Sequence, residues 1–282
     1  MKRILITGAT GFVGRQIVLA LLKKNVELTL VVRSGKENLF ENIASVKKVI
    51  SSQDIFLEKK DWWTNACKGI DTVIHAAWHV KPREYLESKK NIDCLIGSLE
   101  LARGAVKGNV ARFIGIGTCL EYELSQTGVS IWTPLKPLST YAATKASLFT
   151  ACSRYLPAQS VEFAWCRLFN LYGEGENERR LVPYIRLKIL KGEVAELTEG
   201  KQVRDYMDVS KAGAQIAEIA LGKEVGPFNI CSGLPTTIRK FAEKIADEYG
   251  RRDLLSFVQK DESLVGPPYI YAEPSSNPKR QK

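Results

Sequence analysis

The sequence predicts an α/β fold built on a doubly wound parallel sheet with a smaller C-terminal lobe, and three observations carry that expectation. Short β-branched and aliphatic runs alternate with segments of helical apolar spacing over residues 1–170, the pattern of repeated strand–helix–strand units. The first run meets the first helix in a glycine-rich turn, Gly8-Ala9-Thr10-Gly11-Phe12-Val13-Gly14. Beyond Asn170 the alternation loosens, and Gly, Glu and Arg crowd residues 173–180. At 282 residues the chain also exceeds the usual length of one domain, which suits an appended lobe.

Residues 2–7 read as a buried strand, and residues 12–24 carry Val13, Ile17, Ala20 and Leu21 at helical spacing. A second strand is predicted at 27–32. Strands and helices continue through 46–50, 72–77, 92–106, 112–116, 140–155 and 161–168. A helix at 181–191 opens the C-terminal lobe, to which Gly and Pro then give frequent breaks. Residues 266–278, rich in proline and polar side chains, are expected to be a loop or tail. The sequence has no internal repeat.

Composition narrows the function classes. With 45% hydrophobic and 26% charged residues the chain has the make-up of a globular protein, not a disordered one. The six cysteines (Cys67, Cys94, Cys119, Cys152, Cys166, Cys231) form no C-x-x-C pair, so neither a zinc site nor a disulfide framework is expected. The formal charge of +10 is spread among acids, and the only dense basic cluster is Lys279-Arg280-Gln281-Lys282, so no nucleic-acid partner is expected. A basic cleft would suit ligands that carry a diphosphate. Residues 1–7 have no signal-peptide pattern, and no apolar run approaches the roughly 20 residues that span a bilayer. A cytoplasmic protein without membrane contact is expected.

Glycines in the first turn allow a tight bend, let backbone N–H groups approach a pyrophosphate and let helix and strand pack closely, while the helix N-terminus favours negative charge. Gly8, Thr10, Gly11, Phe12 and Val13 are therefore candidate dinucleotide contacts. The spacing is G-x-x-G-x-x-G, not G-x-G-x-x-G, which marks one branch of these folds. At the second strand's end an NAD enzyme places an acid against the ribose 2′-hydroxyl. Here Val31-Val32-Arg33-Ser34-Gly35-Lys36 lacks the acid and supplies a guanidinium, which suits a 2′-phosphate and makes NADP the preferred cofactor. The alternative is that Arg33 stacks beside adenine or is solvated, which leaves NAD.

Tyr141-Ala142-Ala143-Thr144-Lys145 follows a plausible helix start. Four-residue spacing puts phenol and ammonium on one helix face, where the lysine charge would stabilise phenolate and lower the tyrosine pKa. Tyr141 could then exchange a proton with a carbinol or carbonyl while hydride moves to or from nicotinamide. His75, in an apolar strand, reads as a satisfied core histidine and His79 as a loop residue. Trp62, Trp63 and Trp165 read as packing, and Asn91 as structural or functional with equal weight.

Together TGATGFVG, YAATK, Arg167-Leu-Phe-Asn170-Leu-Tyr172-Gly173 and Arg204-Asp205-Tyr206-Met207-Asp208-Val209 resemble the extended short-chain dehydrogenase/reductase family, of NAD-dependent epimerase/dehydratase type. The resemblance covers nearly the whole chain and includes Asp54-Ile55, Ile74-His75-Ala76-Ala77, Asn91 and Asn229-Ile-Cys-Ser232-Gly233. It implies a Rossmann domain for NAD(P) at 1–170 and a mainly substrate-binding lobe at 171–282, with about 206–230 returning to the first domain. It further implies that Thr118 hydrogen-bonds the reacting oxygen, that Tyr141 is the acid/base and that Lys145 also holds the nicotinamide ribose. Asp54 and Ile55 would border adenine, and Ala76 and Ala77 would line the diphosphate and ribose. Thr118, Asn170 and Arg204 would contact a nucleotide-diphospho-sugar, with 181–191 covering its base. A homodimer through the helices bearing Asn91 and Tyr141 is implied, with Leu148, Phe149 and Cys152 taken as outward-facing.

Dehydratases of this family carry Asp-Glu directly after the catalytic Thr, where this chain has Cys119-Leu120, and that disfavours elimination. Members of the GDP-fucose synthase type use a Cys and a His at positions that correspond here to Leu120 and Arg180. Hydride transfer alone remains. The expected activity is NADP-dependent reduction of the 4-keto group of a nucleotide-diphospho-deoxysugar, similar to reductases that make CDP-abequose or dTDP-deoxyhexoses. The alternative is a 4-epimerase with tightly bound NAD. From a different class, a non-catalytic NADP-sensing regulator would retain the fold; Thr118, Tyr141 and Lys145 weigh against it, as the strings at Asn170 and Arg204 weigh against flavonoid or steroid substrates. Family members usually continue into a terminal helix, so the stop at Lys282 reads as truncation.

Overall fold

A computed structural model describes residues 1–124, 127–259 and 267–272. The chain runs β1 (Lys2–Thr7), α1 (Phe12–Leu21), β2 (Val26–Arg33), β3 (Val46–Ser52), α2 (Lys60–Ala66), β4 (Thr72–His75), α3 (Lys90–Lys107), β5 (Arg112–Thr118), α4 (Thr140–Ala158) and β6 (Glu162–Leu168). It continues through β7 (Asn170–Tyr172), α5 (Leu181–Leu190), β8 (Ala195–Thr198), β9 (Val203–Asp208), α6 (Val209–Leu221), β10 (Gly226–Ile230), β11 (Pro235–Thr237), α7 (Ile238–Asp247), β12 (Leu255–Val258) and β13 (Tyr269–Ile270).

Seven parallel strands form the central sheet in the order β10-β6-β5-β4-β1-β2-β3. Helices cover both faces, so residues 4–7 of β1 and all of β4 are buried at successive positions and lack the alternation of a half-exposed sheet. One core layer holds α1 and α6 against the sheet, and the other holds α2, α3 and α4. The strand order reverses between β1 and β4, where connections leave in opposite directions and open a crevice beyond the carboxyl ends of the strands. Helix α6 and strand β10 join this layer although β7 to β9 precede them. The smaller layer places β7, β9, β11 and β13 in one sheet and packs α5 on α7 beside paired β8 and β12.

Two expectations are corrected. Residues 267–272 are not free tail: Tyr269 and Ile270 pair with Val203 and Arg204 of β9, and Ala272 bridges to Val129. The Arg204 guanidinium holds this segment by donating to the carbonyls of Pro267 at 2.7 Å and Pro268 at 3.3 Å. Residue 266, residues 273–278 and the basic cluster 279–282 lie outside the described residues. The second correction concerns α4. Leu148 and Cys152 are buried against β5 and β6, and Phe149 packs on Phe163 and Trp165. Positions 141, 145, 148 and 152 form one helical stripe, so a helix that turns Tyr141 and Lys145 inward turns Leu148 and Cys152 inward too.

Candidate active site

At the first turn, Gly8 has φ +73°, a conformation natural to glycine, and its amide partner across the bend is Gly11, whose N–H donates to Gly8 O at 2.9 Å. A Cβ on Gly8 would lie 2.7 Å from Ala77 N, and one on Gly14 would lie 2.0 Å from Gly8 O. The glycines therefore bring α1, β1 and the Ala76-Ala77 segment together. The first-turn amides of Phe12 and Val13 have no intrahelical acceptor and point out of the helix start. Arg33 ends β2, exposed and without an ion pair among the described residues. Asp54 and Ile55 follow β3; the Asp54 carboxylate accepts from Phe56 N at 3.0 Å while Ile55 is buried. This row of residues lies along the carboxyl ends of β1 to β4 and fits an extended dinucleotide.

Beneath Ala77 runs a chain of hydrogen bonds. Ala77 N donates to Thr7 Oγ1 at 3.3 Å, and Thr7 Oγ1 meets His75 Nδ1 at 2.8 Å. On the far side His75 Nε2 meets Ser98 Oγ at 2.7 Å, and Ser98 donates to Cys94 O at 2.6 Å. Since the Ser98 hydroxyl is committed as donor, it accepts from Nε2–H, and Nδ1 accepts from Thr7. Burial, with the Lys145 charge nearby, lowers the His75 pKa to about 3, so the ring is neutral. His75 is thus the satisfied core histidine that its apolar strand indicated.

Helix α4 starts at a capped end: Ser139 Oγ accepts from Ala142 N at 3.2 Å, and Tyr141 N donates to Leu86 O at 2.8 Å. Tyr141 and Lys145 face the end of β5, where Thr118 sits. Lys145 Nζ donates to Ile116 O at 2.6 Å and lies 3.8 Å from the centroid of the Trp78 ring. Burial lowers Lys145 to about 7, with Glu121 pulling the other way. Burial, with Tyr85, Glu121 and Cys119 near, pushes the Tyr141 phenol above its ordinary value, while the Thr118 hydroxyl opposes. The spacing argument expected Lys145 to lower that pKa; desolvation of both groups outweighs it here.

A fully buried ion pair supports Thr118. Glu121 accepts from Thr118 N at 2.8 Å, from Arg167 Nε at 2.7 Å and from Trp165 Nε1 at 3.0 Å. Arg167 reaches Tyr122 Oη at 3.1 Å, and Tyr122 donates to Asn229 at 2.7 Å. Trp165 and Trp63 are core residues with Trp62 packed on Trp63, as their sequence setting indicated, but Trp165 also serves this network. Asn91 resolves as structural: it is buried, with all its bonds to Tyr85, Ser88 and Trp78.

Asn170 and Arg204 come together in a cleft of about 250 Å³, which Tyr172, Glu176, Arg180 and Tyr206 also line. Asn170 Nδ2 is buried and has no partner among the described residues, a donor left for a ligand. Arg204 spends part of its guanidinium on Val203, Pro267 and Pro268 carbonyls. Tyr206 stacks flat on Phe241 with centroids 3.8 Å apart. Tyr85 packs edge-on against Tyr141 at 4.9 Å, and burial raises the Tyr85 phenol, with the Arg180 charge opposing. Trp78, Glu121 and Glu176 escaped the sequence reading. The tryptophan directly after Ala77 and the acid three residues past Thr118 were the available signals.

Residues 4–231 match the NAD dependent epimerase/dehydratase family, and the chain belongs to that family as one of its enzymes. It is 27% identical over 257 residues to dTDP-6-deoxy-L-talose 4-dehydrogenase (NAD(+)) of Aggregatibacter actinomycetemcomitans, covering 87% of this chain and 90% of the relative. It is 27% identical to UDP-glucuronic acid decarboxylase 1 of Danio rerio, matching 91% of this chain but spanning only 63% of that longer protein. Among solved structures, UDP-N-acetylglucosamine 4-epimerase from Methanobrevibacter ruminantium M1 shares the fold, with TM-score 0.83, 23% identity, and coverage of 97% of this chain and 90% of that one. Among the described residues no helix is long and apolar enough to cross a membrane.

Proposed function

We propose that the protein reduces the 4-keto group of a nucleotide-diphospho-deoxysugar with NADPH. The observation that carries this reading is the convergence of Thr118, Tyr141 and Lys145 at the carboxyl end of β5, with no neutral-range acid or base at the two positions after Thr118. Burial pushes the Cys119 thiol up to about 12, and Leu120 does not titrate, so this pair supplies no proton shuttle for elimination. The name of the relative at 27% identity, a 4-dehydrogenase of a dTDP-deoxysugar, describes the reverse direction of the same redox couple at the same carbon.

Bound nicotinamide supplies or takes the hydride. Tyr141 donates the proton to the carbonyl oxygen, Thr118 hydrogen-bonds that oxygen, and the Lys145 ammonium offsets the phenolate charge and holds the ribose. Gly8, Thr10, Gly11, Phe12 and Val13 take the pyrophosphate, Ala76 and Ala77 line that same diphosphate and the adjoining ribose, and Asp54 and Ile55 border the adenine. Arg33 supports NADP, whereas the relative is named for NAD(+), so both cofactors belong in the assay. Asn170 Nδ2 and Arg204 take the substrate diphosphate. We propose with it a cytoplasmic homodimer through α3, where Ile92 and Ile96 are about half exposed, and α4.

The test mixes purified protein with NADPH or NADH and CDP-, dTDP-, GDP- or UDP-4-keto-6-deoxy sugars, following the reduced-nicotinamide absorbance. Consumption with one sugar, abolished by Tyr141→Phe, supports the reductase. No consumption, with NAD released on denaturation, overturns it in favour of a 4-epimerase. That second reading draws on a 26% identical relative named putative UDP-glucose 4-epimerase, of Methanocaldococcus jannaschii.

A further inference from the structure

Lys145 has an unusual neighbourhood for a buried ammonium. Among the described residues no carboxylate forms an ion pair with it; its close partners are the Ile116 carbonyl at 2.6 Å and the face of Trp78 at 3.8 Å. A carboxylate in that place would neutralise the charge, whereas a π face attracts a cation and leaves its charge intact. Trp78 in turn has little freedom. It directly follows Ala77, whose N–H is bonded to Thr7, and its indole Nε1 donates to Asn91 Oδ1 at 2.8 Å. The Asn91 amide is oriented by two further bonds, from Nδ2 to the carbonyls of Tyr85 at 2.6 Å and Ser88 at 2.9 Å. Phe56 and Tyr141 pack edge-on against the indole at 6.3 and 6.4 Å.

We infer that Trp78, locked by Asn91, is a positioning residue that carries the Lys145 ammonium on its ring face and aims it at the bound dinucleotide. Asn91, Phe56 and Tyr141, three groups from three segments, fix the indole, and one hydrogen bond to Ile116 leaves two of the three Nζ donors for ribose hydroxyls. An alkyl side chain at 78 would leave the Ile116 carbonyl alone to hold Nζ against the freedom of its four-carbon stem. The inference rests on the assignment of Lys145 to the cofactor ribose, but not on the sugar substrate.

The test is therefore a titration of the full-length protein with NADPH and with NADH by calorimetry, with no sugar present. Trp78→Leu is expected to weaken the better-bound cofactor about 2- to 30-fold, the range a cation–π contact spans. Trp78→Phe, which keeps a π face, should recover most of the loss. In a Lys145→Met background Trp78→Leu should have no further effect, because its route of action has gone. Equal losses in both backgrounds would overturn the inference, as would a Phe variant as weak as Leu or a Leu variant that binds like wild type. If Trp78→Leu does not fold, Trp78→Met serves in the same cycle. Lys145→Met that binds both cofactors unchanged would instead sink the assignment of Lys145 itself.

Discussion

Replacing Glu121 by Gln removes one charge of an ion pair that is almost completely buried, at 0% exposure for Glu121 and 1% for Arg167. The amide can still accept from Thr118 N, but its NH₂ faces Arg167 Nε, donor against donor, and the guanidinium charge loses its partner. Breaking a buried pair in this way costs about 3–5 kcal/mol. At about 2.1 cal/mol/K of unfolding entropy per residue, a chain of 282 residues should lose about 5–8 °C in Tm. Thermal unfolding followed by calorimetry measures this, with the Glu121→Leu/Arg167→Met pair completing the comparison. The double variant removes both charges but leaves the Thr118 and Trp165 N–H groups without an acceptor, at about 1–3 kcal/mol each, so it should remain less stable than wild type. A loss below about 1 kcal/mol for Glu121→Gln would refute the argument. It would mean that burial, which pushes the Glu121 carboxyl upward, keeps it protonated beside Arg167.

His75 is held well below its ordinary 6.5, at about 3, so the unfolded chain binds the extra proton first and stability falls as pH drops from 6.5 toward 3. Relative to His75→Gln, wild type should lose about 1.5–2 kcal/mol between pH 6.5 and 5 in denaturant melts; parallel curves would contradict the neutral relay. Arg33→Ala should weaken NADP binding by about 10- to 150-fold, the worth of a hydrogen bond to a charged group, and leave NAD unchanged in a fluorescence titration. An equal effect on both cofactors would remove Arg33 from the 2′-phosphate. Ile96→Glu places a charge on the half-exposed face of α3 and should convert a dimer to a monomer in sedimentation, with the fold retained; an unchanged sedimentation coefficient would place any dimer contact elsewhere.

Much of this was legible in the sequence because it depends on local rules. Alternating β-branched runs and amphipathic helices specify a parallel layered sheet, and a glycine turn between strand and helix specifies where a dinucleotide can approach. Tyr141 and Lys145 share a helix face at any tertiary placement, because four residues make about one turn. The same geometry, followed to positions 148 and 152, would have turned Leu148 and Cys152 inward without any coordinates. What the tertiary structure alone decided is which distant groups meet. Glu121 finds Arg167 across 46 residues of chain, Trp78 finds Lys145 and Asn91, and Arg204 finds Pro267 and Pro268. Periodicity carries no information about such pairs, since each depends on the register of β4, β5, β6 and β9. Nor could spacing foresee the raised Tyr141 phenol: a pKa answers to burial, and burial belongs to the packed molecule.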